Sequence, residues 1–151
     1  GSIFAQHTFQ IDRPRVALMN IGEEEQKGSL TSQATYPLLK QNKRINFTGN
    51  IEGKDLFTNK ADVIVTDGFT GNVLFKLGES FYEISKTRGF KDDFVDQTNY
   101  ASIGGSPIIG VNGNVMIAHG ISSPLAIKNM IGWAYKQVKS KAYLHITQAL
   151  N

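Results

Sequence analysis

The chain has 151 residues, 40% hydrophobic and 19% charged, with 16 Lys+Arg against 13 Asp+Glu and a net charge of +3. Those values suit one globular domain with a buried core, and the charge is too mild to demand an acidic partner. The absence of cysteine excludes disulfides, thiolate nucleophiles and Cys-ligated metals, and no apolar run approaches the roughly 18 residues needed to span a bilayer.

In chain order, Gly1 to Asp12 read as the tail of a helix with no beginning, as though the chain were entered mid-fold. Val16-Ala17-Leu18-Met19 is a short apolar run between Pro14 and Gly22, a buried strand. Residues 29–42 carry Leu30, Ala34, Leu38 and Leu39 at helical spacing despite Pro37. Ile45-Asn46-Phe47-Thr48 reads as a second strand, ended by Gly49-Asn50. Residues 53–59 have room for one helical turn. Ala61 to Thr66 is a third strand, whose apolar centre suits a parallel sheet.

A helix is expected from Asn72 to about Gly89, with Leu74, Leu77, Phe81 and Ile84 on one stripe. Residues 91–100 hold a short second helix. Pro107 to Val111 and Val115 to Ala118 are strand candidates, reversed at Asn112-Gly113-Asn114, where Asn-Gly favours a tight turn. A long last helix runs from about Ser123 to Gln148, with Pro124 at a helix-start position. Alternating strands and helices predict an α/β fold, a sheet with helices on its faces.

Fifteen glycines fall mostly just after the apolar runs. In an open α/β sheet ligands bind beyond the carboxyl ends of the strands. Four loops rich in Gly, Asn and Ser occupy those ends: 20–24, 49–53, 67–72 and 119–123. The third, Asp67-Gly68-Phe69-Thr70-Gly71-Asn72, reads as a two-glycine loop at a helix N-terminus, where backbone N–H groups can meet phosphate or a carbonyl. Equally, Thr70 could simply cap the helix. It is neither a Walker loop nor a dinucleotide fingerprint, because no Gly-Lys-Ser/Thr follows and G-x-G-x-x-G is absent.

Several charged residues have two readings. Glu23-Glu24-Glu25 could supply acids or metal ligands, but such a run is more often a solvated turn; Glu23 stays open and Glu25 reads as solvent-facing. Lys27 follows at a strand end, where a lysine could neutralise phosphate or an oxyanion, though most lysines are surface. His119 follows a strand and precedes Gly120, as a general acid or base or a hydrogen-bonding residue. His7 and His145 lie in helical stretches and read as structural or exposed. Three dispersed histidines make a zinc site improbable. Without G-x-S-x-G, a serine hydrolase is not expected. Asn46-Phe47-Thr48 matches a glycosylation sequon but sits in a chain without a signal-peptide pattern. Lys128, Lys136, Lys139 and Lys141 read as a solvated helix face, and nucleic-acid binding is not expected.

Together these stretches resemble the bacterial phosphate acyltransferase family of the PlsX type. The resemblance rests on Pro14 to Glu24, Ile45 to Asp55, Ala61 to Asn72, Gly104 to Gly113 and Ala118-His119-Gly120, all in the family's order. It implies a three-layer α/β/α sandwich like phosphate acetyltransferase and isopropylmalate dehydrogenase, present here as the C-terminal half, residues 1–151. The implied activity moves an acyl group from acyl carrier protein to inorganic phosphate, giving acyl phosphate for phospholipid synthesis, without a cofactor. The implied partners are a second copy in a homodimer and a membrane acyltransferase, with a cytoplasmic location peripheral to the inner membrane. The family is about twice this length, and the stretch 76–103 is shorter than its counterpart, which is linked to membrane contact; Phe90 and Phe94 could still supply a small apolar surface.

Within that resemblance phosphate is itself the nucleophile, so no covalent one is needed. Lys27 is expected to balance the negative charge, Asn72 to donate to the carbonyl or phosphate oxygen, and His119 to act beside them. Asn50, Gly68, Thr70, Gly71, Gly104 and Gly105 are expected to contact phosphate or substrate. The rival readings are a phosphate acetyltransferase using coenzyme A, a decarboxylating dehydrogenase, which would need Asp clusters for a metal, and an inactive dimerisation or carrier-protein-binding module.

Overall fold

The computed structural model describes residues 1–120 and 122–150, apart from the side chain of Gln97. They form two compact units, Gly1–Asp67 and Gly68–Asn151. The α/β class expected from the sequence is borne out: a parallel sheet with helices in the first, a strand pair with helices in the second.

The first unit is built on β1 (Arg15–Met19), the centre of a parallel sheet in the order β2-β1-β3, with β2 at Asn46–Ile51 and β3 at Val63–Val65. A central parallel strand is covered on both faces, so its residues should be apolar without alternation. Val16, Ala17, Leu18 and Met19 are all buried. Helix α1 (Ser2–Thr8) buries Phe4 and Ala5. Helix α2 (Leu30–Gln41) starts at Ser29, whose side chain accepts from the Ser32 N–H at 3.1 Å. It buries Tyr36, whose ring meets Phe47 of β2 edge-on at 5.2 Å. Pro37 lies within this helix, which continues through it. A 3₁₀ turn, Gly53–Asp55, occupies the place of the expected single turn.

Strand β2 corrects the expected ending at Gly49-Asn50. Val16 pairs with Phe47 but Ala17 pairs with Gly49, so Thr48 is an extra residue in the ladder. Gly49 takes φ +98, and the Thr48 hydroxyl donates to the Val16 carbonyl at 3.2 Å. The glycine is the hinge of a β-bulge, not a turn, and the strand continues to Ile51.

Arg15 and Asp62 lock β1 to the approach of β3. The Asp62 carboxylate accepts from the Arg15 backbone N–H at 2.7 Å, from Nε at 2.9 Å and from the guanidinium at 2.9 Å. Arg15 also donates to the Asn59 carbonyl at 2.7 Å. These hydrogen bonds, first to the side chain and then to the backbone of Arg15, pull the Asp62 carboxyl down to about 2, from an ordinary 3.8. A depressed carboxyl adds stability above its unfolded value and loses it as pH falls through the folded one. Stability should therefore decline from pH ~4 toward pH ~2. Asp62→Asn should flatten that part of the acid limb in urea unfolding followed from pH 2 to 6; an unchanged limb would assign it elsewhere.

In the second unit, α3 (Gly68–Thr87) ends where Phe90 N–H bonds the Ser85 carbonyl and Gly89 N–H bonds the Lys86 carbonyl, a Schellman closure. Leu77, Phe81 and Ile84 of its apolar stripe are each more than half exposed. Two short helices follow, α4 (Asp93–Gln97) and α5 (Tyr100–Ile103). Strands β4 (Gly105–Ile108) and β5 (Val115–Ala118) pair antiparallel. Ile109 to Val111, expected in a strand, lie in the loop, so the reversal is wider than a tight Asn-Gly turn. The last helix corrects another expectation: α6 (Pro124–Ser140) stops at Lys141, whose φ of +51 is left-handed, and α7 (Ala142–Leu150) begins anew. Among the described residues no helix is long and apolar enough to cross a membrane.

Candidate functional site

In the first unit the candidate residues gather where β1 and β2 end. The Asn20 N–H bonds the Ile51 carbonyl at 2.8 Å, extending the ladder one step past β1. The chain then makes the loop 20–28. The Asn20 side chain closes its base: Oδ1 accepts from the Ile21 N–H at 2.9 Å, and Nδ2 donates to the Lys27 carbonyl at 2.9 Å. Asn50 holds the middle, its Nδ2 donating to the Glu24 carbonyl at 2.8 Å. That carbonyl also accepts the Lys27 N–H at 3.1 Å. Both asparagines are buried, and Asn50 Oδ1 accepts no hydrogen bond from the described residues.

Lys27 is exposed and forms no ion pair among the described residues. Its stem lies on Gly22, where an added Cβ would come within 3.0 Å of Lys27 Cγ. Two of the three neighbouring acids have other partners. Glu25 pairs with Lys40, and Glu23 with Lys60 at 3.2 Å. Lys60 also pairs at 2.8 Å with the buried Asp55. Asp55 accepts from the Glu52 N–H at 3.1 Å and closes the 3₁₀ turn as a capping box. Lys60, and then the Glu52 N–H, hold the Asp55 carboxyl below its ordinary value. Glu23 is therefore part of a structural network. Sequence reasoning missed Asp55 and Lys60, although an acid three residues after Glu52 is a capping signal.

In the second unit, Gly68 to Asn72 are helical, which corrects the expected 67–72 loop. The first-turn N–H groups of a helix have no partner within it, so Gly68 and Phe69 carry the outward-facing backbone donors. From Gly71 onward the backbone N–H lies inside the ladder, so Gly71 has no free donor there and Asn72 offers only its exposed side chain. Asn72, Lys76 and Glu79 share one face at steps of four and three. Lys76 Nζ donates to Glu79 Oε2 at 2.8 Å. His119, at the end of β5, places Nε2 3.5 Å from Lys76 Nζ and 3.8 Å from Glu79 Oε1. Its ring lies against Tyr100, with centroids 5.3 Å apart. The structure thus brings His119 onto the face of the helix that carries Asn72, about 6 Å of axial rise beyond it. Lys76 and Glu79 were legible as the next positions on Asn72's face; Tyr100 gave no signal.

Gly104 and Gly105 have a packing reason to be glycine. A Cβ on Gly104 would lie 2.5 Å from Met130 N and 2.6 Å from the Ala126 carbonyl oxygen, and one on Gly105 would lie 2.7 Å from the Ile117 oxygen. Helix α6 comes this close because Asn129 donates to the Ala101 carbonyl at 2.8 Å. A cavity of about 270 Å³ in this unit is walled by Ile108, Ile109, Val111, Tyr143, Ile146 and Leu150, and none of the expected site residues lines it. Among the described residues no group of three His, Asp or Glu could hold a metal ion.

Residues 1–92 match the family described as "Fatty acid synthesis protein". The chain belongs to this family. Within it, the chain is 41% identical over 170 aligned positions to a protein of Dictyoglomus turgidum named phosphate acyltransferase, covering 100% of the chain and 51% of that protein. The protein of that name from Syntrophomonas wolfei is 45% identical over 134 positions, 85% of the chain and 42% of the relative. That of Thermodesulfovibrio yellowstonii is 38% identical over 170 positions, 100% of the chain and 49% of the relative. The resemblance read from the motifs is thus borne out at family level. The chain spans about half the length of the curated relatives it matches.

Proposed function

We propose that this chain is the C-terminal half of an α/β phosphate acyltransferase domain that transfers an acyl group from acyl carrier protein to inorganic phosphate. A phosphate oxygen attacks the thioester carbonyl, the carbon–sulfur bond breaks, and the carrier thiol leaves, giving acyl phosphate for phospholipid synthesis. Whole-chain similarity to proteins named phosphate acyltransferase carries the reading. The residue chemistry supports it, because phosphate as nucleophile asks only for positioning and charge stabilisation.

Lys27 balances the charge of phosphate and of the tetrahedral oxyanion. Asn72 donates through its side-chain amide, and the N–H groups at the start of α3, at Gly68 and Phe69, face anionic oxygens. His119, steadied by Glu79, Lys76 and Tyr100, serves the departing thiol or the phosphate. The enzyme works as a cytoplasmic homodimer beside a membrane acyltransferase.

The test is thioester loss from acyl carrier protein with and without phosphate, with the product trapped by hydroxylamine. Phosphate-dependent loss with hydroxamate formation is expected from the full polypeptide that carries this sequence, and weak or no activity from the 151 residues alone. Turnover of acetyl-coenzyme A but not acyl carrier protein would overturn the reading in favour of an acetyltransferase. Inertness toward both would favour a binding module.

A further inference from the structure

We infer that Asn20 and Asn50 are positioning residues, which act on phosphate through Lys27 and do not touch it. This rests on the proposed role of Lys27.

Lys27 sits at the far end of a seven-residue excursion, 21–27, exposed except at Gly22, a segment that by itself would sample many conformations. Two buried side chains remove that freedom. Asn20 uses both ends of its amide to join the first residue of the excursion to Lys27, through the Ile21 N–H and the Lys27 carbonyl, each at 2.9 Å. Asn50 reaches from β2 to the Glu24 carbonyl at 2.8 Å, the same carbonyl that receives the Lys27 N–H. The backbone of Lys27 is thereby tied on both sides, its carbonyl to Asn20 and its N–H to the group that Asn50 holds. Its ammonium remains without an ion-pair partner among the described residues.

Asn50 has little to offer phosphate directly. One N–H of its amide is taken by the Glu24 carbonyl, the residue is buried, and the uncommitted Oδ1 is an acceptor with no exposed surface. An acceptor facing anionic oxygen repels it. Asn20 is also buried, with its Oδ1 and one N–H committed to the loop backbone.

Gly28 completes the device. A Cβ there would lie 2.1 Å from Asn20 Oδ1, so any side chain at 28 displaces the amide that holds Lys27. Gly28→Ala and Asn20→Ala therefore break the same link by different routes. Aspartate cannot replace either asparagine, because the lost N–H would leave a carboxylate against a carbonyl oxygen.

The experiment is a mutant cycle in the full polypeptide, read as kcat for phosphate-dependent thioester loss, with Tm recorded for each variant. Asn20→Ala and Gly28→Ala are each expected to lower kcat by roughly a hundredfold, as misplacement of a reacting group does. Their double variant should be no worse than either. The decisive arm is the Lys27→Ala background, in which Asn20→Ala and Asn50→Ala should have no further effect on the residual rate. A structural role alone would lower the rate equally in both backgrounds. If Asn20→Ala is as active as the parent, or as damaging without Lys27 as with it, positioning is overturned. Should Lys27→Ala itself be fully active, the assignment of Lys27 falls instead, and the two failures are distinct.

Discussion

Lys27→Ala should lower the rate of acyl phosphate formation roughly a hundredfold to a thousandfold, with little change in Tm. The size follows from the role proposed for the side chain. Attack of phosphate on a thioester moves negative charge from the attacking oxygen onto the carbonyl oxygen, beside the charge the phosphate still carries. A cation held in place before the reaction stabilises that charge without reorganising water. The small effect on Tm follows from exposure and from the missing ion pair, since removing such a side chain strands no buried partner.

Lys60 makes the contrast. It is clamped between Asp55 at 2.8 Å and Glu23 at 3.2 Å, so its charge is already matched. Its partners hold its ammonium above its ordinary value, Asp55 first and Glu23 next. Lys60→Ala should cost stability, because it leaves the buried Asp55 carboxylate unpaired, while kcat per folded molecule changes little. Steady-state rates at saturating phosphate, with Tm on the same samples, separate the two lysines. A Lys27→Ala enzyme within threefold of the parent would remove Lys27 from the mechanism.

The features that were legible in the sequence are those set by short-range chemistry. Val16 to Met19 could be read as a buried strand because no polar residue interrupts the run. Ser29 and Ser123 mark helix starts because each side chain caps an N–H three residues on. The misreadings arose where one residue type serves two geometries. Gly49-Asn50 has the composition of a turn, but pairing with β1 continues on both sides of Gly49 and makes it a bulge. Gly68 and Gly71 resemble loop residues, yet the first turns of α3 accommodate them. Lys141 carries no breaker signal at all, and its left-handed backbone is set by closure of α6 onto the Val138 carbonyl. For the candidate site, residue types near strand ends and a helix start suggested Lys27, Asn72 and His119. The groups that contact Lys27 and His119, namely Asn20, Glu79 and Tyr100, are fixed by contacts between segments distant in sequence or by backbone closure, which composition does not record.

Gly104→Ala should destabilise the second unit by about 3 kcal/mol or more, and Gly110→Ala by distinctly less. The two glycines have nearly the same backbone, with φ of +89 and +92. Any L residue pays conformational strain at both, on the order of 1–3 kcal/mol. They differ in what a methyl would meet. Around Gly110 there is nothing within 4 Å, whereas at Gly104 the methyl would enter the backbone of α6 at Met130 and Ala126. Backbone atoms cannot swing aside as a lysine tip can, so α6 must move away from α5. That movement pulls Asn129 from the carbonyls of Ala101 and Ser102, now bonded at 2.8 and 3.2 Å. Urea unfolding of both variants measures the difference, which isolates packing from backbone strain. If the two losses are equal, the close approach of α6 is not what requires glycine at 104. If Gly104→Ala instead keeps its stability and raises the KM for phosphate, the substrate contact first expected of Gly104 is the better account of it.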